Sequence, residues 1–218
     1  MNENRLKSKI IIYDNYKELL SKDIYEPIIE NIMNLSKKIF PEKYQLIKNQ
    51  SHGESDYMST SGKLYDSKIL FYEEQCESLA INEGELSSFI EAIQKETEDI
   101  YNAIMNKSRE EVKECIFYKE MIKEINKANY GENIILFLPY AFTLELEESI
   151  SSHLSSDIFS YIFNILIKEI DILQDNEIFM IYPNYENKII VKNLNTKEIE
   201  FIETDLLNKY INFNIELV

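Results

Sequence analysis

Three residues of this 218-residue chain combine types and spacing that could do chemistry: Asp56, Asp66 and Lys68. They lie in Glu54-Ser-Asp-Tyr-Met-Ser-Thr-Ser-Gly-Lys-Leu-Tyr-Asp-Ser-Lys-Ile-Leu-Phe71, which reads as a β-hairpin. A short strand is expected around Asp56–Thr60, a turn at Ser61-Gly62-Lys63 and a second strand from Leu64 to Tyr72, with Gly62 supplying the positive φ. Side chains alternate along a strand, so Asp66 and Lys68 share a face, and Asp56 sits across the turn within reach of the same spot. Two hard oxygen anions suit a cation such as Mg²⁺, and an ammonium beside them can orient a water or help deprotonate it. A second reading stands beside this one: Asp66 and Lys68 as the solvated face of an amphipathic strand.

Other chemistry-bearing residues are less well placed. Two further acidic-x-Lys triplets occur, Glu111-Val-Lys113 in helical sequence and Glu186-Asn-Lys188 at the start of a strand, where Asn184 is the nearest upstream polar residue. His52 and His153 have no matched nucleophile and read as surface or loop histidines. Cys76 and Cys115 lack both CxxC and His spacing, so neither a zinc site nor a disulfide framework is expected, and both thiols should be reduced and partly buried. No Gly-rich phosphate loop is present. The 15 tyrosines are scattered rather than interleaved with basic residues, which argues against a stacking surface for single strands.

The elements that must position the hairpin follow from hydrophobic period. Lys9–Tyr13 reads as a strand or the entry to a helix. Asp14–Phe40 is helical sequence, with Asp23 as N-cap, Glu26 completing a capping box, an apolar face through Tyr25, Ile28, Ile29 and Ile32, and Pro41 as the stop. Residues 44–55 show no clear period, and 77–82 suggest a short strand. Residues 85–128 are helical and divide into 85–106 and 109–128 at a capping box made by Ser108 and Glu111. Ile134–Phe142 is a continuous apolar run, expected to be a buried central strand. Residues 145–152 read as a short helix or turn, and 157–174 as an apolar-faced helix. Residues 177–182, 188–194 and 197–202 read as an antiparallel meander, and 204–213 as a closing helix capped by Thr204. The expected class is therefore mixed α/β (α+β), with a core domain over 1–174 and a C-terminal meander at 175–218 packed on it.

Charge is distributed unevenly. The formal net charge is −16, yet residues 1–70 carry 11 basic and 10 acidic side chains. Residues 141–186 carry 1 basic and 9 acidic. A uniformly acidic surface would repel nucleic acid, whereas this one leaves a near-neutral N-terminal face. No uncharged run approaches the ~20 residues that span a bilayer, and the first residues lack a signal-peptide core, so a cytoplasmic protein without membrane contact is expected.

Asp56, the gap, and Asp66-Ser-Lys68 running into Ile-Leu-Phe resemble the motif of the PD-(D/E)xK, or restriction-endonuclease-like, nuclease superfamily. The resemblance covers about residues 14–142 and includes the order helix, hairpin, helix, buried strand. It implies that Asp56 and Asp66 hold a Mg²⁺ ion and that Lys68 positions the attacking water, making the chain a divalent-metal-dependent nuclease or a degenerate nuclease-fold subunit. It also implies an association with bacterial or phage defence. Many members add a glutamate from the preceding helix; Glu30 is the nearest candidate, but its helical phase places it in solvent. The alternative is a non-catalytic acidic subunit or inhibitor whose Glu145, Glu147 and Glu148 help it dock on a basic, nucleic-acid-processing protein.

Overall fold

A computed structural model of the chain describes residues 6–13, 21–48, 55–70, 99, 102–103, 106, 108–127, 132–138, 141–146, 165, 176–184, 188–206 and 211–217. In chain order the elements begin with β1 (Leu6–Tyr13), α1 (Lys22–Leu35), β2 (Tyr44–Leu46), β3 (Tyr57–Ser59) and β4 (Leu64–Ile69). Two short helices follow, α2 (Arg109–Glu114) and α3 (Ile116–Ile125). The remaining strands are β5 (Asn133–Phe137), β6 (Ala141–Leu146), β7 (Ile178–Asn184), β8 (Lys188–Asn193), β9 (Ile199–Glu203) and β10 (Ile211–Leu217).

Seven of the strands make one mixed sheet in the order β2-β3-β4-β5-β7-β8-β9, which curls into a half-barrel; β10-β1-β6 form a second, three-stranded sheet. The hairpin forms as expected, with Tyr57 opposite Tyr65, Met58 opposite Leu64, and Gly62 at φ +84°. β4 then runs parallel to β5, placing Asp66 beside Ile134 and Lys68 beside Leu136, and β5 runs parallel to β7. A strand with parallel neighbours is buried on both faces, and β5 accordingly reads as an unbroken apolar run. The expected C-terminal meander is present as β7-β8-β9 and continues the hairpin's own sheet through the β5–β7 pairing.

α1 positions one face of this sheet. Tyr25, Ile29, Ile32 and Met33 pack against Tyr57, Tyr65, Ile135, Phe137, Phe179 and Ile181. Fully burying side chains of this size contributes about 1.5–3 kcal/mol each, so the helix is held by its apolar stripe rather than by its ends. Those ends are modest: Ser21 is the N-cap in place of Asp23 and its side chain makes no capping hydrogen bond, while its carbonyl accepts from the N–H groups of Ile24 and Tyr25. Strand residues alternate, so Asp66, Lys68, Ile134, Leu136 and Met180 turn to the opposite face, and α3 contacts β4.

Several boundaries differ from the sequence reading. The run Ile134–Phe142 is not one strand: β5 stops at Phe137, and β6 starts at Ala141 and pairs with β1 in the other sheet. An unbroken apolar run does not mark where a chain leaves one sheet for another. Glu145, expected in a helix or turn, lies in β6 opposite Lys7. Of the closing helix expected at 204–213, residues 204–206 form a local turn in which the Thr204 hydroxyl accepts from the Leu206 N–H at 3.2 Å, residues 211–213 lie in β10, and 207–210 lie outside the described residues. β2 was not legible because three residues are too few to show a period. Ser108 does cap α2, accepting from the Glu111 N–H at 3.3 Å, but the helical stretch breaks again at Cys115. The strand expected at 77–82 lies outside the described residues, as do most of the helices expected at 85–106 and 157–174.

The chain leaving α1 is locked by a distant carboxylate. Glu200 on β9 accepts from the N–H groups of Lys37, Lys38 and Ile39 at 2.9–3.1 Å and from the Ser36 hydroxyl at 2.5 Å. Burial works against its charge, but these four donors outweigh it and hold its pKa below the ordinary value. Glu200→Gln should therefore destabilise the protein at pH 7 by roughly 1 kcal/mol, a figure already reduced for partial exposure. A folded-state pKa held low contributes stability that is present above the unfolded value and lost as pH falls through the folded one. Urea melts of the two proteins should thus converge below about pH 4.

Candidate functional site

Asp56 and Asp66 come together where the hairpin strands part. The backbone of Asp56 is stitched on both sides, its N–H donating to the Tyr65 carbonyl at 2.9 Å and its carbonyl accepting from Ile47 at 2.8 Å. Its carboxylate is fully buried: Oδ2 accepts from the Ser67 N–H at 2.7 Å and the Ser67 hydroxyl at 2.6 Å, and Oδ1 lies 3.3 Å from Lys22 Nζ. Asp66 is 4 % exposed, and its Oδ2 is 2.6 Å from Lys68 Nζ. Asp56 lies near enough to Asp66 and to Glu26 that it disfavours the ionised form of each. With Asp66 buried, the two-residue spacing of Asp66 and Lys68 does not mark a solvated strand face.

Glu26 is the carboxylate that the sequence reading missed. It is 8 % exposed on the second turn of α1, with Lys22 Nζ 3.2 Å from Oε1, a charge contact that lacks hydrogen-bond alignment. The signal was present as the i,i+4 pair Lys22/Glu26, but the spacing from Asp23 suggested a capping box. Glu30, expected in solvent, is half-buried, and its Oε1 accepts from the Leu46 N–H at 3.0 Å, tying α1 to β2. It is a structural brace.

The electrostatics follow from crowding. Burial raises the Asp66 pKa to about 6; Lys68 opposes this by hydrogen bond and charge, while the Asp56 carboxylate reinforces it. Burial and then the charge of Asp56 also raise Glu26. Burial disfavours the Lys22 ammonium, but Asp56 and Glu26 outweigh it and keep its pKa above the ordinary value. Ser67 is itself held in place: the buried Tyr57 hydroxyl donates to the Glu26 carbonyl at 3.1 Å and lies 3.3 Å from the Ser67 hydroxyl. Ser55, next to Asp56, donates to the buried Glu132 carboxylate.

The other candidates are not at this site or are not described. Glu111-Val-Lys113 lies on α2, and Lys188 opens β8. Cys115 is buried, and its thiol donates to the Glu111 carbonyl at 3.3 Å. His52, Cys76, Glu147, Glu148, His153 and Glu186 lie outside the described residues. No described helix is long and apolar enough to cross a membrane. Among the described residues no group of three or more His, Cys, Asp or Glu is arranged to hold a metal ion. No protein-family model, curated protein or solved structure matches this chain.

The raised pKa of Asp66 has a definite sign. A folded-state value above the unfolded one means stability that is present below about pH 4 and lost as pH rises through about 6. Asp66→Asn removes this proton linkage. Between pH 4 and pH 7 the wild type should lose roughly 2 kcal/mol relative to the variant, read from denaturant melts across that range. Parallel pH profiles would mean that Asp66 titrates as a solvated carboxylate.

Proposed function

We propose that the chain is a divalent-metal-dependent nuclease, with Asp56 and Asp66 as the cation's ligands and Lys68 as the group that positions the attacking water. The observation that carries this reading is that Asp56 and Asp66 are both buried, near enough for Asp56 to disfavour ionisation of Asp66, with the Lys68 ammonium 2.6 Å from Asp66. Two like charges are brought out of water side by side, an arrangement whose cost a resident cation would remove. The order of elements gives further support: a helix, three antiparallel strands, helical sequence, and β5 returning parallel to β4. That order accords with the resemblance to the PD-(D/E)xK superfamily.

The donor set suits Mg²⁺, which keeps several waters and needs only one or two protein carboxylates, so a three-residue cage is not required. When bound, the ion supplies charge neutralisation for a phosphodiester. The chain's own groups set the rest. Ser67 holds Asp56 by two hydrogen bonds and so fixes which way its oxygens point. Lys68 is partly exposed, so its Nζ can reach and orient a water at the site. Glu26 on α1 shares the Lys22 ammonium with Asp56. Nucleic acid would approach over the near-neutral first 70 residues rather than the acidic middle of the chain.

The test is cleavage of end-labelled DNA and RNA by purified protein with Mg²⁺ or Mn²⁺, run beside a chelator control. The wild type should cut, and Asp66→Asn and Lys68→Met should each lower the rate by about 10²-fold or more. Inactivity of the wild type on both polymers, or equal rates in all three proteins, would overturn the proposal.

A further inference from the structure

We infer that Lys22 is a displaceable counter-ion of the carboxylate site, competing with a divalent cation for Asp56 and Glu26. The inference rests on the metal-site reading and assigns a role to a residue outside the motif.

Lys22 breaks two local rules. It is the first residue of α1, where the helix dipole favours anions and disfavours an ammonium. It also stands N-terminal to its i,i+4 partner Glu26, the weaker of the two orientations for such a pair. Local helix energetics therefore do not explain a lysine here. The partner across the fold does: Nζ lies 3.3 Å from Oδ1 of Asp56, a carboxylate with no solvent contact, 34 positions away. The same Nζ lies 3.2 Å from Oε1 of Glu26. One ammonium thus touches two of the three crowded carboxylates.

The pair is unequal in mobility. The Lys22 side chain is 61 % exposed, and Asp56 is 0 %. The stem can swing its ammonium into water at little desolvation cost, whereas Asp56 is pinned by Ser67. A divalent cation arriving at Asp56 repels the ammonium, and the lysine is the member free to leave. Cation entry and Lys22 release are then one exchange. The apparent affinity for the metal is lowered by whatever attraction holds Lys22 in place.

The experiment is a thermal-shift titration of the full chain with MgCl₂ and MnCl₂ at constant ionic strength, comparing wild type, Lys22→Met and Lys22→Arg. Lys22→Met should melt lower than wild type without metal and show the same rise in melting temperature at a metal concentration roughly tenfold lower, because one competing charge is gone. Lys22→Arg keeps the charge and should stay near the wild-type response; if Lys22→Met does not fold, Lys22→Gln replaces it. Equal metal concentrations for the same rise in wild type and the neutral variant, or a higher one for the variant, overturn the exchange while leaving the metal site standing. A wild type with no metal response overturns the metal reading and this inference with it.

Discussion

A carboxylate taken wholly out of water has to be neutralised or hydrogen-bonded, or it does not stay ionised. Asp56 meets that requirement with contributions to its carboxylate from two elements, and its backbone is held as well. The Ser67 N–H and hydroxyl come from β4, Lys22 comes from the start of α1, and the backbone on either side is tied to β4 and to the chain just after β2. Satisfying one buried charge therefore draws the start of the helix toward the hairpin. The apolar stripe of α1 supplies the energy of docking, but it is a broad and forgiving surface. The register along that surface comes from polar contacts spaced along the helix: the Tyr57 hydroxyl on the Glu26 carbonyl, Glu30 on the Leu46 N–H, and Ser36 with Glu200.

The sheet supplies the second constraint. β4 is antiparallel to β3 and parallel to β5, so it stands between a hairpin and a crossover. Alternation along β4 sends Tyr65 into the aromatic cluster with Phe40, Tyr44 and Phe179, while Asp66 and Lys68 turn the other way. A single strand thus anchors the core with one set of residues and presents charge with the other. Burial of that charge at Asp66, rather than its exposure, separates this strand from an ordinary amphipathic one.

What was legible in the sequence had local signals. The hairpin follows from Gly62 and from alternation, β5 from its apolar run, the β7-β8-β9 meander from short β-branched segments separated by turn residues, and the α2 cap from Ser108 and Glu111. Asp56, Asp66 and Lys68 were identified because all three lie within one hairpin. Glu26 was not, because its place at the site depends on how α1 docks, and docking is set by residues far away in the chain. The exchange of sheets after Phe137 was hidden for the same reason: β6 pairs with β1, more than a hundred positions earlier, and no local pattern encodes that choice. Residues 211–213 were likewise read as the end of a helix, and it is pairing with β1 that makes Ile211–Leu217 a strand.

The central claim is that Asp56 and Asp66 share one cation, and anomalous X-ray scattering from crystals grown with Mn²⁺ tests it most directly. The account predicts a single strong anomalous peak with a carboxylate oxygen of each aspartate about 2.1 Å away and the Lys22 ammonium withdrawn from Asp56. Full occupancy of Mn²⁺ elsewhere in the molecule, with no peak beside Asp56 and Asp66 and Lys22 still in place, would contradict it.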